Sequence, residues 1–269
     1  MRLQGRTAVV TGAASGIGRA IAVCLARKGC NLALADVNEA GLAETEELAR
    51  APDLRISRHR LDVSDKEAVE AFPAKVTAEH PGVDLLFNNA GVALGGSFEQ
   101  VSGDDFEWLF GINFWGVVRL SRAFLPLLRQ SDDARLVNLS SVFGLVAPPG
   151  QVAYAASKFA VRGFSEGLRH ELEGTTVGVT VVHPGGVATS IAASARVPSG
   201  ATAEEVTRRR KSFQKMLRLP AEAAGDIIVR GVEAREQRIL VGKDAVALAM
   251  LARVFPVSYW KLLASRLRA

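Results

Sequence analysis

Tyr154 and Lys158 stand four residues apart in the run Tyr154-Ala155-Ala156-Ser157-Lys158. On a helix, positions i and i+4 share a face, so a phenol and an ammonium at this spacing can form one acid–base device. The ammonium favours the phenolate and draws a group with a free pKa of about 10 toward neutrality. A phenol tuned in this way exchanges a proton with an alcohol or a carbonyl. An exposed helical pair would share the spacing and do no chemistry. The residues upstream decide between the two readings.

Residues 1–36 read as a nucleotide-binding unit. Thr7-Ala8-Val9-Val10 is a short apolar run that leads into Thr11-Gly12-Ala13-Ala14-Ser15-Gly16-Ile17-Gly18, and then into Arg19-Ala20-Ile21-Ala22-Val23-Cys24-Leu25-Ala26 with helical periodicity. A second apolar run, Asn31-Leu32-Ala33-Leu34-Ala35, ends in Asp36. Glycines let the backbone come close to a pyrophosphate, and the helix N-terminus behind them supplies amide donors and a favourable dipole. An acid about 20 positions later suits a ribose 2′-hydroxyl. The glycine spacing is G-x-x-x-G-x-G, not the general G-x-G-x-x-G, so the reading rests on strand, loop, helix, strand and acid in that order.

The elements that must position these residues alternate. Strand-like runs follow at Arg55 to Leu61, Val83 to Asn88, Arg135 to Leu139, Val177 to His183 and Ile239 to Val241, and helical stretches at Glu39 to Ala51, Lys66 to Glu79, Gly103 to Gln130 and Val152 to Leu172. This alternation predicts an α/β protein: a single-domain Rossmann fold, with a doubly wound parallel sheet and helices on both faces. Ligands then lie beyond the carboxyl ends of the strands. A chain of 269 residues with 48% hydrophobic residues can bury a large core. The sequence shows no proline-rich, glycine/serine-rich or repeated stretch. The amino terminus enters a strand within a few residues, which leaves no room for a signal peptide. Cys24 and Cys30 read as buried small residues and not as a disulfide or metal site, which fits a reducing cytoplasm. A formal charge of +5 without aromatics and arginines clustered on one element points away from nucleic acid.

Thr11-Gly12-x-x-x-Gly16-Ile17-Gly18, Asp62-Val63, Asn88-Asn89-Ala90-Gly91, Asn113, Ser141, Tyr154 with Lys158, and Pro184-Gly185 followed by Thr189 together resemble the short-chain dehydrogenase/reductase family, in its order and over nearly the whole chain. The resemblance implies hydride transfer between NAD(H) and an alcohol or ketone. Tyr154 would be the acid–base, Lys158 would lower its pKa and bind the nicotinamide ribose, Ser141 would polarise the substrate oxygen, and Asn113 would hold a water that relays the proton. Gly12, Ser15, Gly16, Ile17 and Gly18 would meet the pyrophosphate, and Asp36 the ribose diol. Asp62 and Val63 would contact the adenine, Asn89, Ala90 and Gly91 the adenosine ribose, and Pro184, Gly185, Val187 and Thr189 the nicotinamide. Asp62 has a second reading, as a cap ahead of Ser64. Ser140 is a decoy that strand alternation turns away from Ser141. Family members pair through the helices corresponding to Gly103 to Gln130 and Val152 to Leu172, which implies a homodimer or homotetramer.

Asp36 is followed by Val37 and Asn38, with no arginine or lysine to receive a 2′-phosphate, so NAD is expected over NADP. Arg19 is the nearby cation and is expected to face out. Val92, Leu94, Val142, Phe143, Val146, Pro148 and Ile191 would join Ser141 around the reacting carbon. None is charged, which favours a lipophilic secondary alcohol or ketone. Residues 191–220 occupy the place of the family's substrate lid. Arg208-Arg209-Arg210-Lys211, Phe213, Met216 and Leu217 there form either a mobile cover or a solvated helical face. A basic run meeting an acyl carrier's phosphate keeps NADP-dependent 3-oxoacyl reduction as the runner-up. A catalytically silent dinucleotide-binding regulator is the alternative of another class, and the complete set Asn113, Ser141, Tyr154 and Lys158 argues against it.

Three further features compete for attention. Gly163-Phe164-Ser165-Glu166-Gly167 matches the hydrolase nucleophile elbow, but Ser165 falls in the helix continuing from Tyr154 and no histidine follows Asp226 or Asp244. Asn138-Leu139-Ser140 matches a glycosylation acceptor, yet it lies at a strand end. The stretch from Ala245 to Leu263 is too short and interrupted to cross a bilayer. Its apolar residues beside Tyr259, Trp260, Arg253, Lys261, Arg266 and Arg268 suit either a peripheral membrane anchor or packing against the core or a partner subunit.

Overall fold

Strand-length runs of Val, Leu and Ala alternate with amphipathic segments, and the computed structural model, which describes residues 1–198, 200–202, 204–207, 214 and 216–268, folds them into one seven-stranded parallel sheet. Its strands are β1 (Thr7–Thr11), β2 (Asn31–Asp36), β3 (Ile56–Arg60), β4 (Leu85–Asn88), β5 (Ala134–Leu139), β6 (Val177–Pro184) and β9 (Arg238–Val241), in the order β3-β2-β1-β4-β5-β6-β9. Two short strands, β7 (Val187–Ala188) and β8 (Leu219–Pro220), pair beside it. The chain runs outward from β1 to β3 and then returns to the other side of β1. The reversal opens a crevice between the carboxyl ends of β1 and β4, where this fold binds ligands.

Successive strand residues point to opposite faces. Ala8 and Val10 of β1, with Leu32 and Leu34 of β2, join Ile21 and Leu25 of α1 (Gly16–Arg27), Leu42 of α2 (Glu39–Ala49) and Ile228 of α7 (Ala221–Glu233). Val9, Leu86 and Leu136 face the other way, toward Phe72 of α3 (Lys66–Glu79), Phe124 of α5 (Gly116–Leu128) and Leu168 of α6 (Val152–Glu171). The doubly wound α/β architecture expected from the sequence is present. Helix α7 was not expected, because its run of Ile227, Ile228 and Val229 reads equally well as a strand.

The long helix expected from Gly103 to Gln130 is instead α4 (Gly103–Phe110), a π-helical turn at Gly111–Trp115, and α5. The extra residue of a π-turn re-aims one side chain inward, and here Asn113 becomes fully buried.

A ladder of buried amides and hydroxyls crosses the middle of the sheet. Asn88 Nδ2 donates to Ser121 Oγ of α5 (3.2 Å) and to Asn138 Oδ1 of β5 (2.8 Å), and Asn138 Nδ2 donates to Ser165 Oγ of α6 (3.0 Å). Ser165 Oγ in turn donates to the Val161 carbonyl at 2.7 Å. Ser165 is therefore a structural hydroxyl within a helix, and Asn138 is a fully buried sheet residue.

Buried imidazoles make the fold sensitive to acid. The Nε2 atoms of His59 and His80 each lie 2.8 Å from the Ser57 hydroxyl, and burial holds both pKa values below the usual histidine range. Burial pushes His183 down to about 4. A depressed folded-state pKa contributes stability that is fully present above the unfolded value of about 6.5 and is lost as pH falls toward the folded one. The urea midpoint should therefore fall as pH is taken from about 7 to about 4.5, and fall less in His183→Asn. Equal slopes in the two proteins would show that His183 is not one of the groups responsible.

Candidate active site

The glycine loop between β1 and α1 is knitted to the end of β4. Thr11 Oγ1 donates to the Phe87 carbonyl and accepts the N–H groups of Asn89 and Ala90, each at 3.1 Å. Asn89 Nδ2 donates to the carbonyls of Thr11 (2.9 Å) and Gly12 (3.1 Å). A Cβ at Gly18 would lie 2.0 Å from the Gly12 oxygen, so only glycine lets α1 start this close to the loop. At the end of β2, Asp36 accepts the N–H of Ala14 on Oδ2 (3.1 Å) and that of Asn38 on Oδ1 (3.0 Å), which fixes its carboxylate at one end of the crevice.

At the other end, Ser141 follows β5 and its Oγ accepts the Phe143 N–H at 3.1 Å. Its backbone carbonyl lies 3.0 Å from His183 Nδ1 of β6. Tyr154 and Lys158 enter from the first turns of α6. Lys158 Nζ donates to the Leu139 carbonyl at 3.0 Å and lies 5.8 Å from the Tyr154 ring centroid. The cleft of ≈ 480 Å³ between the two ends is lined by Gly12, Ser15, Gly16, Ile17, Asp36, Asp62, Val63, Asn89, Ala90 and Gly91, and then by Ser141, Tyr154, Lys158, Pro184, Gly185, Val187 and Thr189. An elongated, glycine-walled crevice with a fixed carboxylate at one end fits a dinucleotide.

The family described as short chain dehydrogenase matches residues 6–199. Over 265 residues the chain is 44% identical to an oxidoreductase named SadH from Mycobacterium tuberculosis, an alignment covering 97% of this chain and 95% of that protein. Among solved structures, a short-chain dehydrogenase/reductase from Burkholderia phymatum in complex with NAD is similar with a TM-score of 0.88 and 34% identity, over 94% of this chain and 95% of that one. Levodione reductase is similar with a TM-score of 0.80 and 27% identity, over 91% and 98% of the two chains.

The chain is a short-chain dehydrogenase. The dehydrogenase is an oxidoreductase acting on CH–OH groups, and its fold is the one that holds NAD in the Burkholderia neighbour.

Several positions differ from the sequence reading. Gly18 packs beneath the glycine loop and does not line the cleft. Asn113 lies behind the cleft, with Oδ1 accepting the Val92 N–H (2.8 Å) and Nδ2 donating to the Val92 carbonyl (3.0 Å) and Ser157 Oγ (3.3 Å). Its side chain thus fixes the Val92 backbone. Val92, Val142, Phe143 and Ile191 line the cleft, whereas Leu94, Val146 and Pro148 do not. Leu94 packs against Leu109 and Ala153, and Val146 against Val142 and Ala245. Arg19 does not face out. It turns back to the Ala14 carbonyl, Thr45 Oγ1 (3.0 Å) and Glu44 (2.7 Å), because a loop carbonyl, a hydroxyl and a carboxylate lie within its reach. Asp62 caps the turn, its Oδ1 accepting the N–H and hydroxyl of Ser64, and the residue also lines the cleft. Ser140 lines the cleft, but its hydroxyl donates to the Lys158 carbonyl at 2.8 Å and is not available beside Ser141.

The expected tuning of the phenol is also different. Burial pushes Tyr154 up to about 12, against a smaller opposing effect from its hydrogen bond with Ser141. Burial alone pushes Lys158 down to about 8. Desolvation wins at Lys158 because the ammonium is buried and donates its hydrogen bond to the Leu139 carbonyl, a neutral acceptor.

Two residues that the sequence did not flag complete the wall. Asp244, in the first turn of α8 (Lys243–Val254), accepts the Gly186 N–H at 2.6 Å, and Leu248 one turn later faces the cleft. The Gly186 backbone is so closely packed that a Cβ there would lie 2.0 Å from the Met216 carbonyl oxygen. An acid following the strand β9 and the Gly242 turn was the available signal. Between these walls, Arg196 fastens the segment after β7 to α4. Its Nε meets the buried Asp105 at 2.9 Å and its guanidinium lies 4.6 Å from the Trp108 ring centroid. Arg208 to Lys211 and Phe213 lie outside the described residues.

Proposed function

We propose that the dehydrogenase interconverts a lipophilic secondary alcohol and its ketone with NAD(H). The observation that carries this reading is the convergence of Ser141, Tyr154 and Lys158 at one end of a cleft whose other end is held by Asp36. Lys158 is the only cation lining it among the described residues. Asp36 would hydrogen-bond the ribose diol and repel a 2′-phosphate. Bound NAD supplies the hydride acceptor. In the oxidising direction the substrate hydroxyl lies between Ser141 Oγ and Tyr154 Oη. Ser141 fixes its orientation and the Tyr154 phenolate takes its proton as the C–H bond breaks. Lys158 compensates the phenolate charge and binds the nicotinamide ribose, and Asn113 holds the Val92 backbone that shapes this end of the cleft. Val92, Val142, Phe143, Ile191 and Leu248 exclude water from the reacting carbon. Residues 191–220 act as the substrate lid, with Arg196 as its fastening. Trp115, Val152 and Phe159, exposed on the π-turn and α6, supply the face for a homodimer.

The test is a screen of secondary alcohols, ketones and steroids with NAD and NADP. Preference for a thioester of a carrier would favour the 3-oxoacyl alternative, and tight NAD binding without turnover on any substrate would favour a regulatory role. Leu248→Ala should raise the KM of the bulkiest apolar substrate by about tenfold, the loss expected for a removed apolar contact of ~1–2 kcal/mol, with kcat changed less than about twofold. A KM that does not respond to substrate size would remove Leu248 from the substrate wall.

A further inference from the structure

The carboxyl-terminal helices carry two different faces. On the inner face, Ala245, Leu248 and Ala252 of α8 pack with Val142, Phe143 and Val146, and Tyr259 of α9 (Tyr259–Arg268) accepts the Ala147 N–H at 3.0 Å through its phenol oxygen. The outer face is apolar and exposed. Val246, Met250 and Val254 follow at i, i+4 and i+8, exposed by 47%, 56% and 60%. The stripe continues through Phe255 to Val257, which is 92% exposed at the turn into α9, and to Leu262.

We propose that this outer face docks the enzyme on an anionic lipid surface. The charge pattern selects the occupant. From Ala245 to Ala269 the chain carries Arg253, Lys261, Arg266 and Arg268 and no aspartate or glutamate. A second copy seated here about a two-fold axis would bring cations against cations around a dry apolar stripe, with no carboxylate in the segment to pair them. Anionic headgroups neutralise the same cations while the apolar stripe enters the acyl boundary. The helices lie on such a surface and do not cross it, because no helix is long and apolar enough to do so among the described residues. Leu248, on the inner face of the docked helix, lines the cleft. Docking therefore sets the substrate entrance beside lipid, a consequence that rests on the lipophilic-substrate reading.

The test uses the full chain and vesicles of phosphatidylcholine with or without about 30% phosphatidylglycerol. Co-sedimentation with the anionic vesicles at low salt should be strong, should weaken with salt, and should be at least about tenfold weaker on pure phosphatidylcholine. Val257→Asp, and separately Arg253→Glu with Lys261→Glu, should each lower the partition coefficient by about tenfold or more while leaving NAD affinity unchanged. A wild-type protein that stays in the supernatant with anionic vesicles overturns the proposal, as do variants that sediment like wild type. So does a Val257→Asp protein whose particle mass halves in sedimentation velocity, which would identify a second copy as the occupant. Vesicle and NAD binding are read without turnover, so an error about the substrate leaves this result standing.

Discussion

Replacing Tyr154 with Phe should lower turnover by about 10²–10⁴-fold, the usual contribution of a positioned acid–base group, and leave NAD affinity within about twofold. Only the hydroxyl is removed, and in the proposed mechanism it serves the substrate oxygen and not the nucleotide. Lys158→Ala should damage both, because in the proposed mechanism the same ammonium compensates the phenolate and binds the ribose. Ser141→Ala should lose the hydrogen bond to the substrate oxygen and keep cofactor binding. Ser165→Ala should leave the chemistry intact and cost ~1–3 kcal/mol of stability, since the buried Asn138 amide loses its acceptor. Alcohol oxidation needs the base form, so its rate should rise with pH. Burial holds the Tyr154 phenol high, and the positive charge of an oxidised nicotinamide ring beside it would oppose that, so in the NAD complex the rise should fall below the free tyrosine value of about 10. A Tyr154→Phe enzyme that keeps a tenth or more of wild-type turnover would sink this mechanism even with fold and cofactor right.

Cofactor preference should be the second large effect. NAD should bind at least about tenfold more tightly than NADP, and Asp36→Ala with Val37→Arg should reverse the order. The expected wild-type preference rests on a carboxylate held in place by two backbone N–H groups. Val37 is 55% exposed, so an arginine there can reach a phosphate without disturbing the core. Removing the carboxylate also frees the Ala14 N–H, which weakens the loop for either nucleotide. The ratio of the two affinities is therefore the decisive readout. Calorimetry giving equal affinities in the wild type would reject the role assigned to Asp36.

The glycine loop, Asp36, Ser141 and the Tyr154–Lys158 pair were legible because each demands a particular residue type next to a strand end or helix start, and local order fixes where those ends lie. The substrate wall was less legible. Leu94, Val146 and Pro148 neighbour the motifs in sequence, but local position does not say which way a loop residue faces. Leu248 and Asp244 reach the cleft only through the packing of α8, about a hundred residues beyond Ser141. The π-turn carries no periodic signature, so the burial of Asn113 could not be read from helical spacing. Spacing brings Tyr154 and Lys158 near each other but does not say how strongly burial opposes the charge on each.

The amide ladder through the sheet acts as a register pin. Asn88 of β4 stands opposite Asn138 of β5 in the parallel ladder. A slip by one residue would set Val137 or Leu139 against Asn88, turn one strand over, and leave both amides dry at ~1–3 kcal/mol each. Wrong alignments of the two central strands are thus penalised by side chains alone. Since Asn89 and Ser141 continue from the ends of those same strands, the pin also sets how far the nucleotide end of the cleft stands from its chemical end.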